Sequence, residues 1–386
     1  MKINYDVLIL GGGASGLMCA AQLVEKTSLK IALIEGNSRP ALKLKASGGG
    51  KCNLTNVEVD STHFLGNEPL VSNALNVFSK EALLDYFHSG GLRPVIRKER
   101  YYFCPKSSDE VIAILLGRSQ GCEMLLGDKI LSVEGSSPFV VTTDKGKYSA
   151  SRIVVATGGA SYKELGASEI GLKIAQDYGH KIIPFAPALV GLTLQPKEFW
   201  MKELSGISFP ARICVGAKML EEDLLFAHKG ISGPVVLSAS LYWHKGEIVL
   251  DFCPDLDLEK LFKEKKLLST ALPLPKRFIK AFLDAIGLED KPCNRLNAVE
   301  REKLARIQNY AMAPSGTFGF TKAEVCRGGV VASEIEIETM QSTKIKGLYF
   351  IGETVDVTGE LGGYNFQWAF SSAVVCSSGI VNNYLK

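Results

Sequence analysis

The sequence predicts an α/β fold closed from both ends of the chain, and three observations carry that reading. The apolar strand Tyr5-Asp6-Val7-Leu8-Ile9-Leu10 runs straight into Gly11-Gly12-Gly13-Ala14-Ser15-Gly16. A second apolar strand, Lys30-Ile31-Ala32-Leu33-Ile34, ends in Glu35 about twenty residues further on. At the far end the same order of strand, glycine turn and helix recurs: Leu348-Tyr349-Phe350-Ile351, then Gly352, Glu353 and Asp356, then Gly362-Gly363-Tyr364-Asn365 opening a helical run to about Asn383.

Each residue type in the first motif answers a physical need. Gly11 permits the tight turn off the strand, Gly13 leaves room for a pyrophosphate to approach the backbone, and Gly16 lets the helix pack closely on the sheet. Ala14 and Ser15 open that helix, whose amides and positive end favour an anion. Glu35 is placed to accept ribose hydroxyls, and its charge disfavours a 2′-phosphate, so NAD or FAD suits the site better than NADP.

The 386 residues are enough for two or three domains with a sizeable core, and 46% hydrophobic with 22% charged residues is a globular composition. A net charge of +3 argues against nucleic acid or an acidic membrane as partner. Nine cysteines, an odd number with no CxxC pair, read as the scattered thiols of a cytoplasmic protein rather than a disulfide framework or zinc site. No apolar stretch approaches the length of a membrane span. The expected partner is a small-molecule substrate; no oligomeric state follows from the sequence.

Pro184, Pro187 and Pro196 mark a change of pattern. Short alternating apolar runs follow, such as Ala211–Val215 and Glu247–Leu250, and then Leu, Lys, Glu and Ala at helical spacing broken by Pro273, Pro275 and Pro292. The expected organisation is a discontinuous Rossmann-like domain over 1–188 and 341–386, an inserted β-rich, barrel-like domain over 189–255 and 311–340, and a small helical subdomain over 256–310.

Two further glycine clusters decide which nucleotide. Ile153–Ala156 ends in Thr157-Gly158-Gly159, and Ser47-Gly48-Gly49-Gly50-Lys51-Cys52-Asn53 is a loop flanked by Lys43, Lys45 and Lys51. The second is not a P-loop, because Cys52 stands where Ser or Thr would follow the lysine. A nicotinamide dehydrogenase has no use for glycine turns spread over the whole chain. An extended FAD, with adenosine at Glu35, diphosphate at Gly11–Gly16 and isoalloxazine near the C-terminal glycines, accounts for all four clusters.

These elements, Gly11–Gly16, Lys43–Asn56, Ala156–Tyr162 and Gly352–Gln367, resemble the YhiN/BaiN-type flavoproteins, also called the aminoacetone-oxidase family and related to the glutathione-reductase-like FAD fold. Phe226–Pro234 resembles a run of the same family's inserted β domain, and the resemblance covers nearly the entire chain. The chain departs from the family's usual pattern at Ala41-Leu42, where Gly-Arg is common, and at Lys51, Lys163 and Leu165. The resemblance implies that Gly11, Gly13, Gly16 and Glu35 hold the ADP half of FAD, that Lys43 and Ser47–Asn53 line the cofactor, and that Thr157-Gly158-Gly159 cross near the adenosine. It implies further that the backbone near Ile130 meets adenine, that Gly352, Glu353 and Asp356 lie near the ribityl chain, and that Gly362, Gly363, Tyr364 and Asn365 meet the ring.

The expected activity is that of an FAD-dependent oxidoreductase passing hydride through flavin N5. With only one GxGxxG, either NAD(P)H docks transiently as reductant or the substrate supplies the hydride and oxygen reoxidises the flavin. His228, in the glycine-rich run of the inserted domain, and Tyr364 are the catalytic candidates, each weighed against a structural role. Cys52 reads as a packing residue rather than a thiolate. A flavin-dependent RNA-modifying enzyme, against which the small net charge counts, and a redox sensor without turnover are the alternatives.

Overall fold

Parallel pairing of β1 (Tyr5–Leu10) with β2 (Ile31–Glu35) on one side and with Lys147–Val155 on the other sets the frame of the fold. Leu8 lies opposite both Ala32 and Ile153, and Val7 through Leu10 have no exposed surface. An apolar run without alternation is what a strand covered on both faces requires. The computed structural model describes residues 4–384.

Glu123–Leu126 extends the sheet beyond β2, and Leu348–Phe350, from the far end of the chain, pairs in parallel with Ile153–Val155. Both termini therefore build one Rossmann-like sheet. The first half of the long strand, Lys147–Ala150, instead pairs antiparallel with Phe139–Thr143, which pairs with Ile130–Glu134 as the inserted meander. The helix α1 (Ala14–Lys26) packs on β1 and β2, and the C-terminal helix Tyr364–Tyr384 packs against α1.

The chain divides into two compact units, 1–186 with 325–386 and 187–324. The return to the first unit falls at Val325, earlier than 341, because Val325–Val330 pairs with the strand that begins at Ile182. Gly328 makes that approach feasible: a Cβ there would stand 2.5 Å from the Pro184 carbonyl oxygen.

The second unit is β-rich, with a seven-stranded antiparallel sheet in the order Tyr310–Met312, Ile248–Asp251, Ser208–Val215, Lys218–Ala227, Gly230–Ser232, Leu192–Thr193 and Gly316–Thr317. Its helices do not form a core of their own. Lys276–Ile286 buries Phe278, Ile279, Phe282, Leu283 and Ile286 in the same cluster as Phe209, Phe226 and Phe252 of the sheet side. Among the described residues no helix is long and apolar enough to cross a membrane.

Candidate cofactor site

The turn between β1 and α1 is fixed by backbone contacts that exclude side chains. Gly11 has φ 111°, and a Cβ on it would lie 2.4 Å from the Ala156 carbonyl oxygen; one on Gly16 would lie 2.0 Å from that of Gly11. Gly13 differs. Its φ of −78° suits any residue, yet a Cβ there would meet nothing within 4 Å. Space, not conformation, is what Gly13 provides. With no side-chain cap on α1, the amides of its first turn, from Ala14 and Ser15 onward, lack intrahelical acceptors and favour an anion.

Glu35 is locked beside this turn. Its Oε2 accepts the Gly12 amide at 2.8 Å, and its Oε1 accepts the backbone and side-chain nitrogens of Asn37, both at 2.8 Å. A carboxylate has room for further donors beyond these three. The segment leading to Ile130 lies alongside, since the Asp128 amide donates to the Glu35 carbonyl at 3.0 Å and Gly127 to that of Asn37 at 2.8 Å.

The other glycine clusters converge on the same place within the first unit. A Cβ on Gly352 would fall 2.6 Å from Ser15 Oγ, and one on Gly159 would fall 2.9 Å from the Glu353 carboxyl carbon. Lys43, on α2 (Leu42–Gly50), donates to Glu353 Oε2 at 2.7 Å, and the Cys326 amide donates to Oε1 at 2.8 Å. Lys43 is therefore an ion-pair partner that holds Glu353. α2 breaks at its end: Ser47 is extended, while Gly48 and Gly49 are left-handed with φ 57° and 64°. The chain then enters β3 (Asn53–Asn56), against which the C-terminal glycines pack; a Cβ on Gly363 would stand 2.7 Å from the Thr55 backbone, and one on Gly362 2.8 Å from Asn56 Nδ2.

The surface so formed fits a large polar ligand. Asn53 Oδ1 and Thr157 Oγ1 are buried without a hydrogen-bond partner among the described residues, an arrangement that costs about 1–3 kcal/mol per group unless a ligand or water completes it. Gly49 and Gly50, like Gly13, face open space. Free amides, unsatisfied oxygens and Cβ-free approaches together match the demands of an extended dinucleotide such as FAD.

The catalytic candidates fare differently. Tyr364 is 1% exposed and stacks on His63 with ring centroids 4.6 Å apart, with Phe64 edge-on; burial pushes its phenol far above the usual range. Its ring is packed, while its hydroxyl, like Asn53 Oδ1 and Thr157 Oγ1, is buried without a hydrogen-bond partner among the described residues. Asn365 clamps the preceding loop, accepting the Gly359 amide at 2.9 Å and donating to the Gly359 carbonyl at 2.8 Å. His228 sits exposed on the turn between Lys218–Ala227 and Gly230–Ser232, in the second unit. Cys52 is fully buried, and the adjoining Cys104 thiol together with burial holds it well above the usual thiol range, so it is no thiolate. Burial also raises the Asp356 carboxyl, opposed by the Gly328 amide.

One member of the cluster escaped the sequence reading. Cys326 Sγ accepts the Ala160 amide and meets Ser161 Oγ, each at 3.1 Å, while its own amide holds Glu353. A cysteine in Glu-Val-Cys-Arg-Gly carries no spacing signal; only the ladder that returns Val325–Val330 to this unit reveals it.

The fold and this convergence define a dinucleotide-binding α/β flavoprotein. Residues 5–379 match the HI0933-like protein Rossmann domain, and the chain belongs to that family of FAD-dependent oxidoreductases. It is 34% identical over 394 residues to the ribosomal RNA dihydrouridine synthase of Escherichia coli (strain K12), covering 98% of both chains. It is 29% identical to the 3-dehydro-bile acid delta(4,6)-reductase of Clostridium scindens, covering 94% of this chain and 96% of that one. Among solved structures, the 3-ketosteroid delta1-dehydrogenase of Sterolibacterium denitrificans superposes with a TM-score of 0.53 at 12% identity over 98% of this chain and 99% of that one, a likeness of fold.

Proposed function

We propose that the chain is a flavin-dependent reductase of a C=C bond conjugated to a carbonyl, acting on a uracil base of ribosomal RNA, with NAD(P)H as a transiently docked reductant. The observation that carries this reading is the full-length likeness, at 34% identity, to dihydrouridine synthases of two bacteria, Escherichia coli and Haemophilus influenzae. The more distant relative is named for reduction of a conjugated steroid, and the 5,6 double bond of uracil, next to its 4-carbonyl, is a bond of the same kind. Net charge sums over the whole surface and so weighs less against RNA than that likeness weighs for it.

When bound, FAD supplies the hydride donor; the rest is the protein's contribution. The amides at the start of α1 and the open face of Gly13 would receive the diphosphate, and Glu35 would take the ribose hydroxyls. Asn53 Oδ1 and Thr157 Oγ1 would gain the donors they lack. The Lys43–Glu353 pair, tied to the Cys326 amide, holds the glycine walls at fixed separation. The N-terminus of Tyr364–Tyr384 would favour negative charge developing at its end.

The test is direct. Purified protein should carry a yellow flavin that NADPH or NADH bleaches anaerobically, and unmodified ribosomal RNA should reoxidise it while nucleosides gain two hydrogens at uridine. Protein without affinity for FAD would sink the cofactor assignment. Reduction of small enones with no change in RNA would transfer the reading to a small-molecule reductase.

A further inference from the structure

We propose that the hairpin formed by Val95–Arg97 and Tyr101–Phe103, continued by Lys106, is the surface on which an RNA strand docks beside the cofactor site. The inference rests on the RNA reading above and assigns that substrate a place on the protein.

Charge is the first argument. Residues 93–106 hold five cations, Arg93, Arg97, Lys98, Arg100 and Lys106, and one carboxylate, Glu99, whereas all 386 residues sum to only +3. The rest of the chain is thus slightly acidic, and the basic excess is local. All five cations are exposed, and Arg100 also lies near Tyr364. Of the carboxylates just beyond, Asp109 is paired with Lys45 at 3.0 Å and Glu110 takes the amides of Lys106 and Ser107.

Shape is the second. Val95–Arg97 is the outer strand of a three-stranded sheet and exposes Val95 and Ile96 at 39% and 52%. The Arg97 guanidinium covers the Phe103 ring at 5.1 Å. Apolar and stacked planar groups flanked by cations suit a strand with splayed bases. The apex residues Lys98 and Glu99 both have positive φ, 49° and 57°, in a turn that favours Asn-Gly, so a lysine is held at the tip despite the strain.

Placement is the third. The Phe103 strand pairs with β3, a Cβ on Gly48 would touch the Phe103 ring at 3.0 Å, and the Cys104 and Ser108 amides donate to the carbonyls of Lys51 and Gly50, each at 2.9 Å. The hairpin is thus built directly onto the glycine loop of the cofactor site.

The experiment uses flavin-loaded full-length protein and a fluorescent fragment of unmodified ribosomal RNA, titrated at several salt concentrations. The triple variant Arg97→Gln, Lys98→Gly, Lys106→Gln should bind at least about tenfold more weakly near 0.1 M salt, with a salt slope shallower by about 0.7 for each phosphate it no longer neutralises. Its flavin content and reduction of a small enone should match wild type. Glu99→Lys should tighten binding. Equal RNA affinity in wild type and both variants would overturn the docking surface and leave the RNA reading standing; no salt-sensitive binding by wild type would overturn both.

Discussion

The glycines of the first unit and the aromatics of the second answer opposite demands. Around the cofactor site the decisive residues are those whose side chain is missing, because Gly11, Gly16, Gly159 and Gly363 let backbone meet backbone or carboxylate at distances a Cβ would forbid. In the second unit the decisive residues are the largest. Phe278 is fully buried and meets Phe209 at 4.9 Å, Phe252 at 5.0 Å and Phe282, stacked, at 5.8 Å between centroids. One region is organised to leave a shaped polar space, the other to leave none, so the same kind of mutation should act differently in each.

The largest effects fall where either rule is broken outright. Gly16→Val drives a side chain into the Gly11 carbonyl and should destabilise the protein by on the order of 4–5 kcal/mol, leaving little folded material in denaturant titrations. Phe278→Ala should cost about 3–5 kcal/mol through the cavity it opens, yet the folded fraction should keep wild-type affinity for FAD, since every proposed contact lies in the first unit. Gly13→Val sharpens the contrast. Stability without flavin should change by no more than about 1 kcal/mol, because a Cβ there meets nothing within 4 Å at an ordinary φ, whereas FAD affinity should fall at least about tenfold. Unchanged flavin binding in Gly13→Val would mean that the diphosphate does not pass there.

How much was legible in advance follows from the same contrast. Gly11, Gly16 and the C-terminal glycines could be read because only glycine tolerates those approaches, and a requirement that strict leaves a mark at fixed spacing. The Lys43–Glu353 pair joins residues 310 positions apart and could not be read, since any lysine and any glutamate look alike until the fold unites them. Tyr364 shows the limit from the other side: an aromatic after two glycines does not announce that its ring stacks on His63, 301 positions away in the chain. The β-rich character of the second unit was visible in its alternation. That its helices share the sheet's core was not, because amphipathic spacing shows that a face is buried but not against what.

The first unit should also carry a pH dependence that the apolar core of the second lacks. Ser342 Oγ accepts the amides of Lys344 and Ile345 at 3.0 and 2.9 Å, so its hydrogen is directed to His180 Nε2 at 2.9 Å. Nδ1–H then donates to Glu334 Oε2 at 3.1 Å, and Lys344 Nζ sits 3.0 Å from Oε1. A proton on Nε2 would meet the serine's hydrogen. Burial holds His180 below its ordinary 6.5, opposed by Glu334 and aided by Lys344. The folded state therefore binds the imidazole proton less readily than the unfolded one, so this contribution is complete above about pH 6.5 and is lost as pH falls below it. Denaturation midpoints of wild type should drop between pH 7 and 5, and His180→Gln should flatten that slope; an unaltered slope would place the pH dependence elsewhere.

The smallest effect tests whether a glycine can be introduced. Ala41 is left-handed, with φ 61° and ψ 25°, a conformation that glycine adopts without steric cost. A non-glycine residue there costs roughly 1–2 kcal/mol, while glycine would add unfolded-state entropy worth roughly 0.4–1 kcal/mol and surrender the methyl of a residue only 3% exposed. The terms nearly cancel, leaving Ala41→Gly more stable by about 0.5 kcal/mol. A measured loss instead would show that the methyl's packing outweighs the strain. Gly16, Gly13 and Ala41 thus separate three reasons for a glycine: a neighbour already in the space, a ligand due in the space, and a backbone angle alone.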